Sequence, residues 1–575
     1  MDREGGITVN RLKKENRLWI AVVMIMLLFA LDCSASAEPP EGTEPTSGTC
    51  GENLMWELSA EGVLTISGSG SMQVYSSSYP WYPSKDAIKK VIICEGVTTV
   101  ATSAFSGYEA ITEIKFPQTL EAISDYAFSD CSGVKGLVVP NNVQSIGQGA
   151  FKGMELTSIT LPFIGKTRNA SGVAVPFGYI FDYREKYGTS SVPENTTFQY
   201  TDNESDFYYF IPTTLESVII TDVQIIPERA FYNCTWFTVT IQSVVHEIGT
   251  RAFYNSKGPS SLSFLGEITT IPAFAFYDCR GLQTAVLPNT VTAIEKSAFR
   301  KCSNLQVLEL SNALTSIGAN AFDECTGITS LIVPNSVQSI GQGAFKGMEL
   351  TSITLPFVGK SRNATDAEMP FGYIFDYKSV SGSSTGPAEA TYQFTDAVGK
   401  NYYYYIPASL KTVIITDTSV IPYGAFRNCR NIQAVSICAG IESIDEYAFY
   451  NCGIQYMQIP DSVRSIAANS FNDNVVFYIH GNTYAETWAK SNSKPYNLLD
   501  VLELPASTII IESEAFTGLP SVYAIRIPAS VTNIASDAFD KGMVLLVPTG
   551  SVWAEWAETN GYTAIEELKA EPVVD

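Results

Sequence analysis

Apolar residues recur along this chain with a period of about 23 residues. Each period contains a short stretch in which apolar and polar residues alternate. In LTSITLP this alternation places Ile159 and Leu161 on one side and predicts a brief β-strand. Pro162 ends the strand because it has no N–H group to donate. In SIGQGAF, Phe151 follows Ile146 by five positions, which predicts one turn of α- or 3₁₀-helix with both side chains facing the interior.

The dipeptide Ala-Phe marks this period, and most of its phenylalanines are 23 residues apart. Stacked coils would place each ring above the next and form a continuous aromatic column. One coil cannot bury its own apolar face, so its stability must come from its neighbours, and the sequence predicts a repeat solenoid. The phenylalanines are Phe105, Phe128, Phe151, Phe231, Phe253, Phe276, Phe299, Phe322, Phe345, Phe426, Phe449, Phe471 (after Ser470 rather than Ala), Phe516 and Phe539.

The repeated unit AFxxCxxLxxIxIPxxVxxIGxxAF resembles the BspA-like leucine-rich repeat family. The stretch GTCGENLMWELSAEGVLTISGSGSM resembles the cap that precedes such arrays. The resemblance implies a curved leucine-rich repeat solenoid with short parallel β-strands, short helical or 3₁₀ turns, a β-rich N-terminal cap and helical C-terminal capping segments. It also implies a protein exposed outside the cell that acts in adhesion or host-protein binding. It implies neither an enzyme nor a particular ligand.

The N-terminus predicts export. Arg11, Lys13, Lys14 and Arg17 precede the apolar run LWIAVVMIMLLFAL, which is short for a membrane span but typical of a signal peptide. Ala35-Ser36-Ala37 matches a cleavage site, so residues 1–37 are predicted to be removed. No second apolar run of spanning length follows, so no membrane insertion of the mature chain is expected. The protein is therefore predicted to be secreted or held at the cell surface.

The period also predicts the domain organisation. Residues 38–90 are expected to form a linker and the N-terminal β cap, and residues 91–492 the main array. Two gaps in the phenylalanine register predict inserts at about 163–212 and 357–407. Residues 493–575 are expected to form a short second array with its own cap. Amphipathic segments carrying Trp488, or Trp553 and Trp556, are expected to cover the exposed ends of coil stacks.

Both inserts follow the same nineteen residues, SIGQGAFKGMELTSITLPF, which begin at Ser145 and again at Ser339, 194 positions later. The array has therefore grown by copying a whole block, which a solenoid allows without breaking a core. Insertions in solenoids often emerge on the binding face. Tyrosines near the end of each insert are the candidate contact residues, since tyrosine combines apolar area with a hydrogen-bonding tip. The alternative is that these rings pack within the insert. The candidates are Tyr208, Tyr209, Tyr402, Tyr403, Tyr404 and Tyr405.

Seven cysteines lie three residues after a phenylalanine of the column and predict a row of small buried side chains. Each coil has one cysteine without a nearby histidine or CxxC pair, so no metal site is predicted. A disulfide between Cys50 and Cys94 is left open, and Cys438 is expected to be buried. The seven are Cys131, Cys234, Cys279, Cys302, Cys325, Cys429 and Cys452.

The formal net charge of −23 makes nucleic acid and anionic membranes poor partners. The sequence contains none of the common zinc-protease, nucleophile-elbow, phosphate-loop or calcium-loop motifs. The two histidines, His246 and His480, are predicted to be structural. No catalytic residue, cofactor or metal is therefore predicted.

Three functions remain open. The first is an exported, monomeric interaction protein or adhesin that binds a protein ligand such as a host extracellular-matrix or cell-surface protein. The second is a secreted carbohydrate-binding or carbohydrate-active protein with its site in the inserts, where Asp182 and Asp376 are the acidic candidates. The third is a structural spacer in an envelope layer.

Overall fold

The structure is a computed structural model. It describes residues 46–172, 175–185, 196–200, 207–381, 391–395, 400–481, 483–498, 500–519, 522–540 and 543–567. The predicted signal peptide, residues 1–37, lies outside the described residues. The chain divides into two compact units, Met1–Ser311 (unit 1) and Asn312–Asp575 (unit 2), and each is described by itself.

Most coils of unit 1 contribute one strand of three or four residues and one strand of two residues. A 3₁₀ helix spans Tyr82–Ala87 near the start of the array, and another, Phe177–Phe181, lies within the insert. Strands β1 to β22 are, in order, Thr46–Gly51, Leu54–Leu58, Val63–Gly68, Gly70–Ser71, Lys90–Ile93, Val97–Val100, Glu113–Lys115, Ala122–Ile123, Gly136–Val138, Ser145–Ile146, Ser158–Leu161, Tyr183–Glu185, Thr196–Tyr200, Phe207–Pro212, Ser217–Ile220, Ile225–Ile226, Thr238–Ile241, Glu247–Ile248, Thr270–Ile271, Thr284–Val286, Ala293–Ile294 and Val307–Glu309.

Unit 2 repeats this arrangement and adds two α-helices, α1 (Tyr484–Ser491) and α2 (Trp553–Thr559). Its 3₁₀ helices span Asp366–Glu368 and Phe371–Phe375. Strands β23 to β43 are, in order, Ser316–Ile317, Ser330–Ile332, Ser339–Ile340, Ser352–Leu355, Tyr377–Ser381, Thr391–Thr395, Lys400–Tyr404, Thr412–Ile415, Val420–Ile421, Ala434–Ile437, Ser443–Ile444, Tyr456–Gln458, Ser465–Ile466, Val476–Ile479, Tyr496–Leu498, Asp500–Glu503, Ile510–Ile511, Val522–Arg526, Asn533–Ile534, Val544–Pro548 and Thr563–Glu567.

The longer strands of successive coils pair in parallel, and this confirms the coil architecture predicted from the period. In unit 1, β11 lies between β9 and β15, and β15 pairs onward with β17. In unit 2, β24, β26, β30 and β32 pair in the same way. The N-terminal strands β1, β2 and β3 are antiparallel, and β3 then pairs in parallel with β5. The shorter strands form a second parallel ladder, as in β4, β6, β8 and β10, all of which have two residues except the four-residue β6.

The turn that carries each column phenylalanine shares its hydrogen bonds between its own coil and the next. The Phe128 N–H donates to the Ala150 carbonyl of the next coil at 2.9 Å, whereas the Ser129 N–H donates to the Tyr126 carbonyl of its own turn at 3.1 Å. This alternation places Tyr126 (φ 54) and Asp130 (φ 59) in the left-handed region. The predicted single helical turn is thus a series of separate 3₁₀-type bonds interleaved with bonds between coils.

The predicted aromatic column is present in both units. Ring centroids of Phe253 and Phe276 are 5.4 Å apart, and those of Phe276 and Phe299 are 5.3 Å apart, with nearly parallel planes. In unit 2, Phe426 and Phe449 are 5.3 Å apart. The column phenylalanines of the main array are at most 3 % exposed. Their burial supplies the apolar area that holds neighbouring coils together.

Each insert leaves its unit between two strands that remain paired. Across the first insert Ser158 lies opposite Ser217, so the sheet continues as if the insert were absent. The insert also supplies rings to the column where the Ala-Phe dipeptide is missing. Phe181 lies 6.5 Å from Phe151, and Phe177 lies 5.5 Å from Phe231. In unit 2, the PFGYIF segment of the second insert fills the same place.

The seven cysteines of the predicted row are all buried. Some of their thiols donate to carbonyl groups of the preceding coil, as Cys131 does to Phe105 at 3.1 Å and Cys302 to Phe276 at 3.0 Å, whereas Cys234 donates within its own turn, to Tyr232. Neither Cys50 nor Cys94 is in a disulfide, so the bridge left open by the sequence is not formed. Cys438 is partly exposed, and the expectation that it is buried is wrong.

We expect native mature protein to react with a thiol reagent at two positions, Cys94 and Cys438. The other eight described cysteines are buried, and burial raises the pKa of Cys50 to about 11 and that of Cys131 to about 12. Since the thiolate is the reactive form, both access and ionisation protect these groups. The number of labelled cysteines, counted by intact mass in buffer and again in guanidinium, measures this. Rapid labelling of most thiols in buffer would contradict the buried row.

The two predicted tryptophan-bearing helices are observed in unit 2. Helix α1 begins after Thr483, whose side-chain oxygen accepts from the Glu486 N–H, the usual cap at a helix start. Trp488 packs edge-on against Phe471 at 6.0 Å and Phe477 at 5.4 Å. Trp553 is likewise buried on α2. The role of these helices as end caps stays a prediction.

Candidate functional site

The outward face of four neighbouring longer strands is uncharged in each unit, although other longer strands, such as β7 with Glu113 and Lys115, have charged outward residues. Side chains alternate along each strand, so the first and third residues of β9, β11, β15 and β17 point away from the core in unit 1. The corresponding residues of β24, β26, β30 and β32 do so in unit 2. We call these sets the two sheet faces. They consist of Gly136, Val138, Ser158, Thr160, Ser217, Ile219, Thr238 and Thr240, and of Ser330, Ile332, Ser352, Thr354, Thr412, Ile414, Ala434 and Ser436.

Several apolar side chains on these faces are open to solvent. Val138 is 50 % exposed, Ile332 is 65 % exposed and Ile414 is 38 % exposed. Between them lie hydroxyl groups, such as Ser352, whose Oγ donates to Ser330 Oγ at 2.9 Å. None of the sixteen positions carries a charge although the whole chain has a net charge of −23. Charged residues are depleted at the centres of protein interfaces, so this composition suits a docking surface.

The candidate tyrosines lie on the central strand of a small antiparallel sheet in each insert, except Tyr405, which directly follows that strand. In unit 1, β14 lies between β12 and β13, and in unit 2, β29 lies between β27 and β28. Tyr209 is 1 % exposed and Tyr404 is 0 % exposed, whereas Tyr402 is 9 % exposed. Tyr208, Tyr403 and Tyr405 are partly exposed.

This burial narrows the set of tyrosines that can contact a partner. Tyr209 and Tyr404 pack inside their inserts, with almost no surface open to a partner. Burial accordingly raises the pKa of both hydroxyls. Tyr402 packs against Tyr377 with 5.6 Å between ring centroids. A contact role stays a prediction for Tyr208, Tyr403 and Tyr405.

Asp182 fastens the first insert to the nineteen-residue stretch that precedes it. Its Oδ1 accepts from Gln148 Nε2 at 2.8 Å and from the Tyr183 N–H at 2.9 Å, and its Oδ2 lies 2.8 Å from Lys152 Nζ. The Tyr126 hydroxyl also donates to it, at 3.4 Å. Burial, and then the charge of Asp182, raises the pKa of Tyr126 to about 12. Asp182 is 7 % exposed, and both of its carboxylate oxygens have partners within the protein.

Asp376 repeats this arrangement in unit 2. It accepts from Gln342 Nε2 and from the Tyr377 N–H, both at 2.8 Å, and lies 2.8 Å from Lys346 Nζ. The glutamine and the lysine occupy the same places in the two copies of SIGQGAFKG. No role was predicted from the sequence for this glutamine and lysine. Their recurrence in both copies, each followed by an aspartate in FGYIFDY, could have indicated the contact. The two aspartates anchor the inserts here, and their role in a carbohydrate site stays a prediction.

An arginine fixes the other side of each insert. Arg168 pairs with Asp222 at 2.6 Å, donates to the Val143 carbonyl at 3.1 Å and lies over the Phe163 ring at 5.2 Å. In unit 2, Arg362 pairs with Asp417 and lies 5.1 Å from the Phe357 ring centre. The duplicated block therefore preserves two attachments for each insert.

The described residues hold no group of three or more histidine, cysteine or acidic side chains that could bind a metal ion. His246 is exposed, and its prediction as a structural residue rather than a catalyst stays a prediction. His480 is partly exposed, with its Nδ1 2.8 Å from Asp461 Oδ1. In the part of the chain that the structure describes, no helix has the length and apolar character needed to cross a membrane.

Comparison with known proteins identifies the repeat. The sequence profile of the BspA type leucine rich repeat region matches the chain in six copies, over residues 82–169, 203–306, 246–362, 396–480 and 494–545. These ranges cover more than half of the chain and agree with the coil period and the parallel strands. No curated protein matches the sequence.

Several solved structures are similar to this chain at low identity. A leucine-rich repeat protein from Eubacterium ventriosum is 22% identical, with a TM-score of 0.22, over 54% of this chain and 96% of that one. A leucine-rich repeat protein from Bacteroides ovatus is 16% identical, with a TM-score of 0.28, over 90% of this chain and 99% of the other. A leucine rich cell surface protein from Faecalibacterium prausnitzii is 14% identical, with a TM-score of 0.19, over 69% and 95%.

Proposed function

The chain belongs to the BspA type leucine-rich repeat family, and we propose that it is an exported interaction protein that binds a protein partner through its sheet faces. The uncharged outward face of four parallel strands in each unit carries this proposal. A face of hydroxyl and β-branched side chains can be dehydrated without stripping water from charges, and its exposed apolar groups gain from burial. The partly exposed insert tyrosines, Tyr208, Tyr403 and Tyr405, would extend the contact.

Export and adhesion to host or extracellular-matrix surfaces are part of the same proposal. The predicted signal peptide, residues 1–37, supports export. One similar structure is that of a cell surface protein, which is consistent with a location outside the cell. A solenoid suits this role because it presents a broad, rigid surface without a catalytic centre.

We expect lysine substitutions on the sheet faces to weaken binding to a matrix protein by about tenfold or more, since each would place an unpaired charge in the contact. The variant Val138→Lys/Ile332→Lys changes one exposed position in each unit. The measurement is surface plasmon resonance of the mature chain, from Glu38, over immobilised laminin, collagen and fibronectin.

The matched control is Val74→Lys/Val244→Lys, which adds the same charge at positions that are 64 % and 58 % exposed. Saturable binding that the face variant weakens and the control retains supports the proposal. Equal loss in both variants would show that net charge, rather than the sheet face, governs binding. Absence of binding to all three proteins by the unaltered chain would overturn the proposed adhesion to matrix proteins.

A further inference from the structure

One end of a coil stack is open in unit 2. Strands β38, β40, β42 and β43 form a four-stranded sheet that is separate from the sheets of the main array. In the first coil of this sheet, the short strand β39 pairs on one side only within the described residues, with β41. We call the segment 509–516, which contains β39 and the column residue Phe516, the open edge.

Two adjacent isoleucines of the open edge are exposed to solvent. Ile509 is 58 % exposed and Ile510 is 57 % exposed. The coils of the main array mostly have polar residues at these two positions, such as Thr315 and Ser316. Adjacent apolar side chains at positions that are polar in other coils indicate a contact surface.

The Ala-Phe dipeptide of the open edge is also accessible. Ala515 is exposed and Phe516 is partly exposed, whereas the column phenylalanines of the main array are at most 3 % exposed. The Phe516 ring stacks on Phe539 at 5.8 Å, which covers one of its two sides. Part of the aromatic surface that other coils bury is therefore open here.

Backbone N–H groups of the open edge lack acceptors. In the next coil, the Thr532 N–H donates to the Ile509 carbonyl at 2.8 Å. The Ala535 N–H of that coil donates to the Ile511 carbonyl at 2.9 Å. The corresponding N–H groups of the open edge belong to Ile509 and Glu512, and neither has an acceptor among the described residues. An exposed row of unpaired backbone groups is a template for another strand.

The first coil of the array in unit 1 shows what the open edge lacks. There the short strand β6 pairs with β4 on the side away from β8. The ring of Trp81 stacks on Phe105 at 5.4 Å, and its Nε1 donates to the Ala104 carbonyl at 3.1 Å. The corresponding carbonyl of Ala515 has no donor in the part of the chain that the structure describes. A strand and an aromatic ring thus cover the first coil in unit 1, and neither covers the open edge.

The charge around the open edge indicates the kind of strand that fits it. Glu512 and Glu514 are exposed, and their carboxylates have no cationic partner among the described residues. Residues 500–567 contain ten acidic residues against two basic ones. This charge favours a cationic partner. It disfavours a second copy of this chain, because two open edges in contact would bring their glutamates together.

We propose that the open edge binds an extended segment of a partner protein that carries basic, apolar and aromatic side chains. The segment adds as a strand beside β39, and its carbonyl groups accept from the Ile509 and Glu512 N–H groups. Its basic side chains pair with Glu512 and Glu514, and an aromatic ring covers Phe516 as Trp81 covers Phe105. In strand addition, main-chain hydrogen bonds supply affinity and alternate side chains supply specificity. The site is separate from the sheet faces.

The test is binding of a fluorescent peptide, KVTVKWK, to the mature chain, measured by anisotropy at low and at physiological salt. We expect Ile509→Lys/Ile510→Lys to weaken binding by about tenfold or more, because it replaces an apolar contact with charges that repel the peptide. Glu512→Gln/Glu514→Gln should weaken binding by about threefold at low salt, and by less at physiological salt, where exposed charges are screened. Hydrogen exchange of residues 509–516 should slow when the peptide is bound.

The matched controls change the same number of charges elsewhere in unit 2. Tyr456→Lys/Val552→Lys adds two charges at positions that are 55 % and 71 % exposed, and it should bind the peptide as the unaltered chain does. Glu555→Gln/Glu558→Gln removes two exposed acidic groups of α2 and should also retain binding. Circular dichroism melting of each variant checks that the coils remain folded.

The proposal is wrong if KVTVKWK does not bind, or if the acidic peptide EVTVEWE binds as tightly. It is also wrong if the controls lose as much affinity as the open-edge variants, or if exchange of residues 509–516 is unchanged by the peptide. A dimer of the unaltered chain, seen by sedimentation and dissociated by Ile509→Lys/Ile510→Lys, would show that a second copy occupies the open edge instead. The variant Val138→Lys/Ile332→Lys should retain peptide binding, so failure here and failure of protein binding at the sheet faces are distinguishable.

Discussion

Phe276→Ala is expected to lower the free energy of unfolding of unit 1 by about 3–5 kcal/mol, the range for removing a fully buried aromatic ring. Phe276 is 0 % exposed and lies between Phe253 and Phe299, at 5.4 Å and 5.3 Å. The substitution leaves a cavity that neither neighbour can fill, because each ring is held in its own stack. Since a coil contacts only its neighbours, the lost contacts affect three coils at once.

The measurement for Phe276→Ala is guanidinium unfolding of the mature chain followed by circular dichroism. The matched control is Val286→Ala in the same coil, whose side chain is 46 % exposed on the outward side of β20. Its effect should stay within about 0.5 kcal/mol. Equal shifts of the unfolding midpoint in the two variants would mean that the aromatic column does not hold the coils together. Faster thiol labelling of Cys279 in Phe276→Ala would locate the loosening in the altered coil.

Asp182→Ala is expected to release the first insert from its coil, at a local cost of about 1–3 kcal/mol. The carboxylate accepts two hydrogen bonds at 2.8–2.9 Å and pairs with Lys152, so its removal leaves several donors without an acceptor. We place the cost below that of a fully buried pair because the Lys152 side chain is 36% exposed and water can replace part of the interaction.

Hydrogen exchange of the peptide that contains β14 measures the release of the insert. Its amides should exchange faster in Asp182→Ala, while those of β11, which remains paired with β15, keep their protection. The matched control is Asp376→Ala, which should loosen β29 in unit 2 and leave β14 unchanged. Unchanged exchange of β14 in Asp182→Ala would show that the 3₁₀ helix and the aromatic packing hold the insert without this carboxylate. A double-mutant cycle with Lys152→Met would then measure how strongly the two side chains are coupled.

The period of the chain was sufficient to predict the coils, the aromatic column and the buried cysteine row, because each depends on a side chain that recurs at one place in every coil. The gaps in the period located the inserts, but the sequence did not predict how the inserts pack against the coils. Phe177 and Phe181 complete the column within PFGYIF, a segment with no Ala-Phe dipeptide, so a search for that dipeptide could not find them. Their placement depends on packing against Phe151 and Phe231, which is a tertiary contact.

The candidate site was predicted less well, and the reason is side-chain direction. The tyrosine runs DFYYFIP and NYYYYIP predict strands, but the sequence alone does not say which alternate set faces the insert's interior. Burial of Tyr209 and Tyr404 settles this for two of the six candidates. The sheet faces were not predicted as binding sites from the sequence, because a single serine, threonine or valine has no side-chain chemistry that indicates a site. Their significance comes from adjacency across parallel strands.

The repetition of SIGQGAFKGMELTSITLPF also has a genetic consequence. Its two copies begin 194 positions apart, and each is followed by an insert held through the same glutamine and lysine. Unequal crossing-over between the two copies would delete or add a stretch of 194 codons in frame. In the resulting protein, each copy of the stretch would still be followed by an insert whose aspartate contacts the glutamine and the lysine of that stretch. Strains are therefore expected to carry shorter or longer alleles that differ by whole blocks of 194 codons. Such a change in length would alter the number of sheet faces, while every remaining coil would keep a neighbour on each side.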